Sequence, residues 1–419
     1  MANIGWIYFS KSHREKVGTI LELLKTEGMI DELGIGSVRD AFANNMFPGI
    51  STVQTRAKYF FIVPNILWDY QRLTPTQRKN TPITKYLDDR EHKLMWHLSA
   101  EYKKKGEDKN SGIIGITKAN KERIVRRPSA IYWNGLTKFG IMENNGLGVD
   151  TYLRSRTRNQ AESLISKIAI ADDDQGDDHH YDFENHLNIK IKPCSLDWLE
   201  GINMELSWEE ADILSRKIME SCKGTLLAEL LQNEALYKLF SESGDFMEFA
   251  HNSINMEMPS SITRTITLAQ DFSEMMYGAH IAYNVWIQFA KYKEWDSIDF
   301  LGDWEEWKSA LKTNMIDLSG YDAAQALQHP FGIMAKNFTR TYIAEWSKQI
   351  KNGDSDIKKT MEIIRIQEWN NKRNRSRIHA KQLEDIRENT WVGLQRLDYR
   401  FRNVKTILKD IKKGLSTDA

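Results

Sequence analysis

Apolar side chains recur every three or four residues through most of this 419-residue chain. This spacing predicts amphipathic helices and few strands. The clearest stripe runs from Asp271 to Lys291, and a second begins at Trp208, where Ser207 and Glu210 have the spacing of a capping box. Further helices are predicted at 83–102, 304–311, 323–327, 362–369 and 395–415. The pattern indicates a mainly α-helical protein.

A helix-turn-helix candidate lies between Asp31 and Tyr70. Its first helix is predicted near 38–45, and Pro48-Gly49 breaks the chain after it. The second helix is predicted to open at Ser51, because Ser51 and Gln54 have capping-box spacing. In such motifs the first residues of the second helix contact base edges. The residues that would contact DNA are Thr52, Gln54, Thr55, Arg56 and Lys58.

The same stretch is also typical of an ordinary corner between two helices that binds no DNA. In that interpretation Arg56 pairs with an acid such as Asp40, and its loss destabilises the fold.

Two other stretches are basic. In the first, residues 126–142, a helix is predicted to begin at Pro128 or Ser129 and to end at Gly140. Arg126 and Arg127 lead into this helix and Lys138 lies on it, which is compatible with a winged-helix-like unit. In the second, Trp369 precedes Arg373, Arg375 and Arg377. This run favours either phosphate binding or a solvated helix face that pairs with Glu384, Asp385 and Glu388.

The charge inverts at residues 171–186, where seven acidic residues and three histidines occur with few apolar side chains. Such a segment buries too little apolar surface to order itself. We therefore predict an acidic linker at 171–186. It would separate an N-terminal domain at 1–170, containing the helix-turn-helix, from a helical C-terminal domain at 187–419.

Composition narrows the class of protein. Lys plus Arg and Asp plus Glu both number 58, so the whole chain has no net field that would attract a polyanion. Two cysteines indicate no disulfide framework and favour a reducing, cytoplasmic location. No run is apolar enough for a membrane span, and the first residues do not have the pattern of a signal peptide.

Candidate chemistry is sparse. The histidines and acids of the 171–186 segment are metal-ligand types, but no apolar residues surround them to hold a geometry. The glycines at Gly34 and Gly36 precede a helix, yet they lack the remaining residues of a P-loop or dinucleotide fingerprint. We predict no catalytic residue, no metal site and no cofactor from these patterns.

The segments IGWIYFS, ELGIGSVRDAFANNMFPGISTVQTRAKYFFIVP, RRPSAIYWNGLTKFGI, GAHIAYN and LDYRFRNVKTILKDI resemble a bacterial family described as domain of unknown function 6361. The resemblance implies no catalytic residues. It implies a genomic context of helicases and phospholipase-D-like nucleases, as in anti-phage defence.

These observations lead to the hypothesis of a non-catalytic DNA-binding or adaptor subunit of a bacterial defence complex. Its expected partners are DNA and a helicase or nuclease protein, with no membrane. Two alternatives stay open at the sequence level. One is a nuclease whose metal-dependent carboxylates are scattered along the chain, and the other is a pure protein–protein scaffold.

Overall fold

The computed structural model describes residues 31–108, 111–118, 122–157, 186–295, 298–313, 315–330, 334–352, 356–377, 383, 386 and 390–417. Over these residues the chain is helical and contains no strand, apart from one isolated antiparallel bridge between Met142 and Ile189. The mainly α prediction is confirmed for this part of the chain. No strand pair that could form a wing is present among these residues.

The chain forms two compact units, and each combines segments that are distant in sequence. Unit 1 comprises Met1–Met46 and Glu242–Phe401, and unit 2 comprises Phe47–Ser241 and Arg402–Ala419. These divisions fall at other positions than the predicted linker. Of the 171–186 segment only His186 lies within the described residues, so the linker itself stays a prediction.

The helices of unit 1 share one long central member. They are α1 (Gly36–Met46), α9 (Phe246–Ser253), α10 (Ser260–Tyr292), α11 (Phe300–Lys312), α12 (Ala323–Gln328), α13 (Asn337–Lys351) and α14 (Ile357–Lys372), which a short 3-10 turn (Arg373–Arg375) follows. Helix α10 has 33 residues, and α1, α9, α11, α12 and α14 all pack on it.

The helices of unit 2 are α2 (Tyr59–Gln71), α3 (Pro75–Asn80), α4 (Ile83–Lys105), α5 (Pro128–Lys138), α6 (Trp208–Ser221) and α7 (Leu226–Gln232). Helix α8 (Glu234–Glu242) ends, and α15 (Phe401–Leu415) begins, at the division between the units. Helix α2 is buried on nearly every side and packs against α4 and α5. The contact between α2 and α5 is made by aromatic rings, since the ring centroid of Tyr132 on α5 lies 5.0 Å from that of Tyr59 and 4.9 Å from that of Phe60 on α2.

Local signals placed several helix ends correctly. Ser207 and Glu210 form the expected capping box at the start of α6. Helix α5 starts at Pro128 and α4 starts at Ile83, both as predicted. Helix α4 continues three residues past the predicted end at Tyr102, to Lys105, and Gly106 then adopts the left-handed conformation. The predicted 271–291 helix lies inside α10, whose first turn begins eleven residues earlier, at Ser260.

Close approach of α11 to α10 depends on Gly278. A Cβ atom built there would lie 2.3 Å from the ring of Trp307. That ring is held in place, because its centroid lies 5.5 Å from the Trp304 centroid and its Nε1–H donates to Glu274 at 3.1 Å. The missing side chain at Gly278 therefore sets how close the two helices come.

We expect Gly278→Ala to lower the free energy of unfolding by about 1–3 kcal/mol, since the added methyl group overlaps a ring that cannot move aside. The matched control is Gly302→Ala on α11, where an added Cβ meets no atom within 4 Å. That change should raise stability by about 0.5–1 kcal/mol, through the lower backbone entropy of alanine. Chemical denaturation of both variants measures the difference, and equal midpoints would contradict the proposed contact.

Candidate nucleic-acid interface

The segment predicted to begin a recognition helix is not helical. Residues 51–58 form two turns joined by irregular backbone, and helix α2 begins at Tyr59, so the predicted start at Ser51 is wrong. The Ser51 N–H donates to Gln54 Oε1 at 3.2 Å, but the Gln54 N–H donates to the backbone oxygen of Ser51. The expected pair of residues thus closes a turn and caps no helix.

The side chains of Gln54 and Thr55 point toward the interior of unit 2. Gln54 is 1% exposed, and its Nε2 donates to the Gly49 carbonyl at 3.0 Å. The Thr55 hydroxyl donates to the Gly112 carbonyl, and the Thr55 N–H donates to the Tyr132 hydroxyl at 2.8 Å. Neither side chain is available to a base edge, whereas Thr52 is exposed.

The two cations of this segment are neutralised within unit 2. Arg56 Nε lies 2.9 Å from Asp410, and its other nitrogens donate to the carbonyls of Ser111 and Met204. Lys58 Nζ lies 2.6 Å from Glu210. The prediction that these side chains contact DNA conflicts with this arrangement, because each would have to leave a partly buried acid without a partner. Arg56 does form the ion pair that the alternative expected, with Asp410 as the acid in place of Asp40.

The three cations around α5 differ in exposure and in ion pairing. Arg127 lies 3.3 Å from Asp150 and 3.5 Å from Asp88, and its side chain is 18% exposed. Arg126 is half-buried, while Lys138 in the last turn of α5 is exposed. Of the three predicted residues, Lys138 is therefore the one that is exposed.

Arg127 also faces a buried acid of α4. Glu91 is fully buried, and its carboxylate accepts the Ser129 N–H and, at 2.9 Å, the Ser129 hydroxyl at the start of α5. Burial raises the pKa of Glu91 to about 7, against the opposing effects of Arg127 and of the Ser129 hydrogen bonds.

Two of the three arginines in the C-terminal basic run are exposed to solvent. Arg373 and Arg375 are exposed on the 3-10 turn after α14, and neither forms an ion pair within the described part of the chain. Arg377 is different, since its Nε lies 3.0 Å from the buried carboxylate of Glu32. The prediction that Arg377 contacts DNA therefore conflicts with its place in unit 1.

Beneath this turn lies a buried polar network that sequence reasoning missed. Glu32 and Glu368 are both completely buried, and the Tyr283 hydroxyl lies between them, 3.0 Å from Glu32 and 2.7 Å from Glu368. Lys372 contacts Glu32 directly, beside Arg377. The network joins the segment before α1, the middle of α10 and the end of α14.

Glu368 holds the base of the turn. It accepts the Ser376 hydroxyl at 2.8 Å and the Arg377 N–H at 2.8 Å. Between these contacts and α14 the backbone of Arg373 has φ +52° and ψ −126°, a strained conformation for a residue with a side chain. The buried carboxylate therefore maintains a turn that the chain would otherwise avoid.

Burial shifts the pKa values of Lys372 and Tyr283 in this network. Burial lowers the pKa of the Lys372 ammonium group, and the nearby charge of Arg377 lowers it further. Burial raises the pKa of Tyr283 well above its ordinary range. The phenol therefore stays protonated and can donate a hydrogen bond to a carboxylate.

A sequence signal for the network exists at α14. Glu368 continues the buried stripe formed by Met361 and Ile364, so an acid occupies a core position of the helical pattern. An acid at such a position needs a partner, because an unpaired buried charge is very costly. The pattern does not say which partner.

A model of a family described as a family of unknown function (DUF6361) matches residues 1–413. The chain belongs to this family. No curated protein and no solved structure matched it. The resemblance noted from the sequence motifs is thereby confirmed for the DUF6361 family, while its genomic associations are taken up as a proposal below.

Two further findings concern this DUF6361 chain. Among the described residues no group of three or more His, Cys, Asp or Glu side chains is arranged to hold a metal ion. Within the same residues no helix combines the length and apolar character needed to cross a membrane.

Glu91 should make stability depend on pH. Its folded pKa, about 7, lies above the ordinary value of 4.5 expected in the unfolded chain. The free energy of unfolding should therefore fall as the pH rises from about 4.5 to about 7, and this contribution should be constant outside that window. Glu91→Gln should remove roughly 3 kcal/mol of this decline. Chemical denaturation between pH 4.5 and pH 7 measures this decline, and the exposed Glu107→Gln variant is the control. If Glu91→Gln showed the same pH dependence of stability as the wild type, Glu91 would not be its source.

Tyr283→Phe should lower the free energy of unfolding by about 1–3 kcal/mol, since it leaves two buried carboxylates without their shared donor. Tyr342→Phe is the matched control, because the Tyr342 hydroxyl is buried and has no hydrogen-bond partner among the described residues. Removing that hydroxyl should be neutral or stabilising. Thermal melting of both variants compares them, and a neutral Tyr283→Phe would mean that the phenol does not support the network.

Proposed function

We propose that this protein is a non-catalytic DNA-binding adaptor subunit that works with a helicase or nuclease partner in bacterial anti-phage defence. The choice of partner follows from the genomic context that the family resemblance implies. The contact with DNA is assigned to the exposed turn of Arg373 and Arg375.

The observation that carries the proposal is a pair of exposed arginines on a turn that a buried carboxylate anchors. Two exposed guanidinium groups lie on a backbone that Glu368 holds from below through Ser376 and the Arg377 N–H. Arginine binds phosphate through paired N–H donors. A fixed backbone lowers the entropy lost when those donors engage a ligand. The strain at Arg373 supports the same interpretation, since such strain is concentrated at functional positions.

The proposal needs no net charge on the whole chain. A neutral protein lacks long-range attraction for a polyanion, so its contact with DNA would be local and would add to the binding of an enzyme partner. An adaptor needs only such a contact, because linked weak contacts combine through effective concentration.

The test is the salt dependence of binding to fluorescein-labelled duplex and single-stranded DNA. Arg373→Ala/Arg375→Ala should weaken binding and reduce the slope of log affinity against log salt by about 0.9 per lost phosphate contact on duplex and about 0.7 on single strands. Lys312→Ala/Lys348→Ala is the control, since both lysines are exposed on other helices of unit 1. Equal loss in the two variants would indicate nonspecific charge effects and would exclude this turn as the DNA contact.

A further inference from the structure

A groove lies in unit 2 beside α4, and none of its lining residues is among those assigned to DNA. Its volume is about 210 Å³. The floor is aliphatic and is formed by Ile66, Leu94, Leu199 and Ile202. An apolar cavity of roughly 150 Å³ accepts a benzene ring, so this groove has room for one large apolar side chain.

One edge of the groove is basic. Arg90, Lys93 and His97 line it, and their spacing places them on one face of α4. All three are exposed. The Arg90 guanidinium lies 5.1 Å from the Tyr86 ring centroid. Lys93 and His97 have no ion-pair or hydrogen-bond partner in the part of unit 2 that the structure describes.

Asp69 is the acid among the lining residues, and both of its carboxylate oxygens already have partners. One oxygen of Asp69 accepts from Arg72 at 3.2 Å, and the other accepts the Trp198 Nε1–H at 2.9 Å. Arg90 and Lys93 are therefore the charged lining residues of the groove that form no ion pair within the described part of the chain, although the whole chain is neutral.

We propose that this groove docks a short acidic segment of a partner protein, with one large apolar side chain inserted into the aliphatic floor and flanking carboxylates on Arg90 and Lys93. Charge complementarity selects acidic residues. From Arg90 to His97 the edge extends about 10 Å along the helix, which exceeds the reach of a single carboxylate. Several carboxylates spaced along one chain match it.

Single-stranded nucleic acid fits the groove less well. Bases bind by stacking on exposed aromatic faces, whereas this floor is aliphatic. Trp198 is half-buried and its indole is held by Asp69. Leu196, 85% exposed, extends the apolar surface of the neighbouring loop, and an apolar patch beside cations is typical of a protein contact.

The experiment selects peptides from a random displayed library on the full chain and measures the enriched peptides by fluorescence anisotropy. Enriched sequences should carry a large apolar residue flanked by Asp or Glu. Arg90→Glu/Lys93→Glu should weaken their binding at least about tenfold, the effect of reversing rim charges. Lys103→Glu/Lys104→Glu, with the same charge change at the exposed end of α4, should leave binding unchanged.

Leu199→Asp provides a second, independent variant, because Leu199 is 37% exposed and lines the floor. It should also weaken peptide binding, and melting curves check that each variant is folded. Enrichment without acidic residues, or equal binding to the wild type and both groove variants, would overturn the proposal. A labelled oligothymidylate is measured in parallel. If it alone loses affinity in Arg90→Glu/Lys93→Glu, the groove binds nucleic acid and the peptide proposal is wrong.

Discussion

The arrangement of unit 1 depends on neutralising two carboxylates that lie in its interior. Glu32 and Glu368 are fully buried, and an ionised carboxylate without partners is too costly to keep in an apolar core. Tyr283, Lys372 and Arg377 supply the donors. Because these groups come from the segment before α1, from α10 and from the end of α14, meeting this requirement also joins those three elements. The exposed turn at Arg373 follows from the same contacts.

In unit 2, too, an acid with little exposure to solvent is neutralised by donors distant in sequence. Asp410 of α15 accepts the Ala57 N–H at 2.8 Å as well as the Arg56 guanidinium. Tyr132 both accepts N–H groups from this segment and donates to the Arg56 carbonyl. The backbone before α2 is thus satisfied by side chains more than seventy residues away. A helix starting at Ser51 would bond those groups locally, so the tertiary contacts compete directly with the predicted helix.

The two surfaces proposed for binding differ in how they are built. The Arg373–Arg375 turn is a pair of cations on a backbone that buried charges hold in place. The groove beside α4 combines an aliphatic floor with cations along one helix face. The first arrangement suits a uniform polyanion such as the phosphate backbone. The second suits a ligand with both apolar and acidic groups, such as the proposed acidic segment.

Helical periodicity and local capping determined much about this protein. The start of α4, the capping box of α6, the start of α5 at Pro128 and the apolar stripe of α10 follow from interactions within a few residues, and such interactions are readable from sequence. The roles of the cations were decided by tertiary structure alone. Arg56 and Arg373 are both arginines in polar stretches, yet one is paired with Asp410 and the other faces solvent. A carboxylate more than three hundred residues away makes that difference, and no local pattern specifies which distant acid reaches which cation.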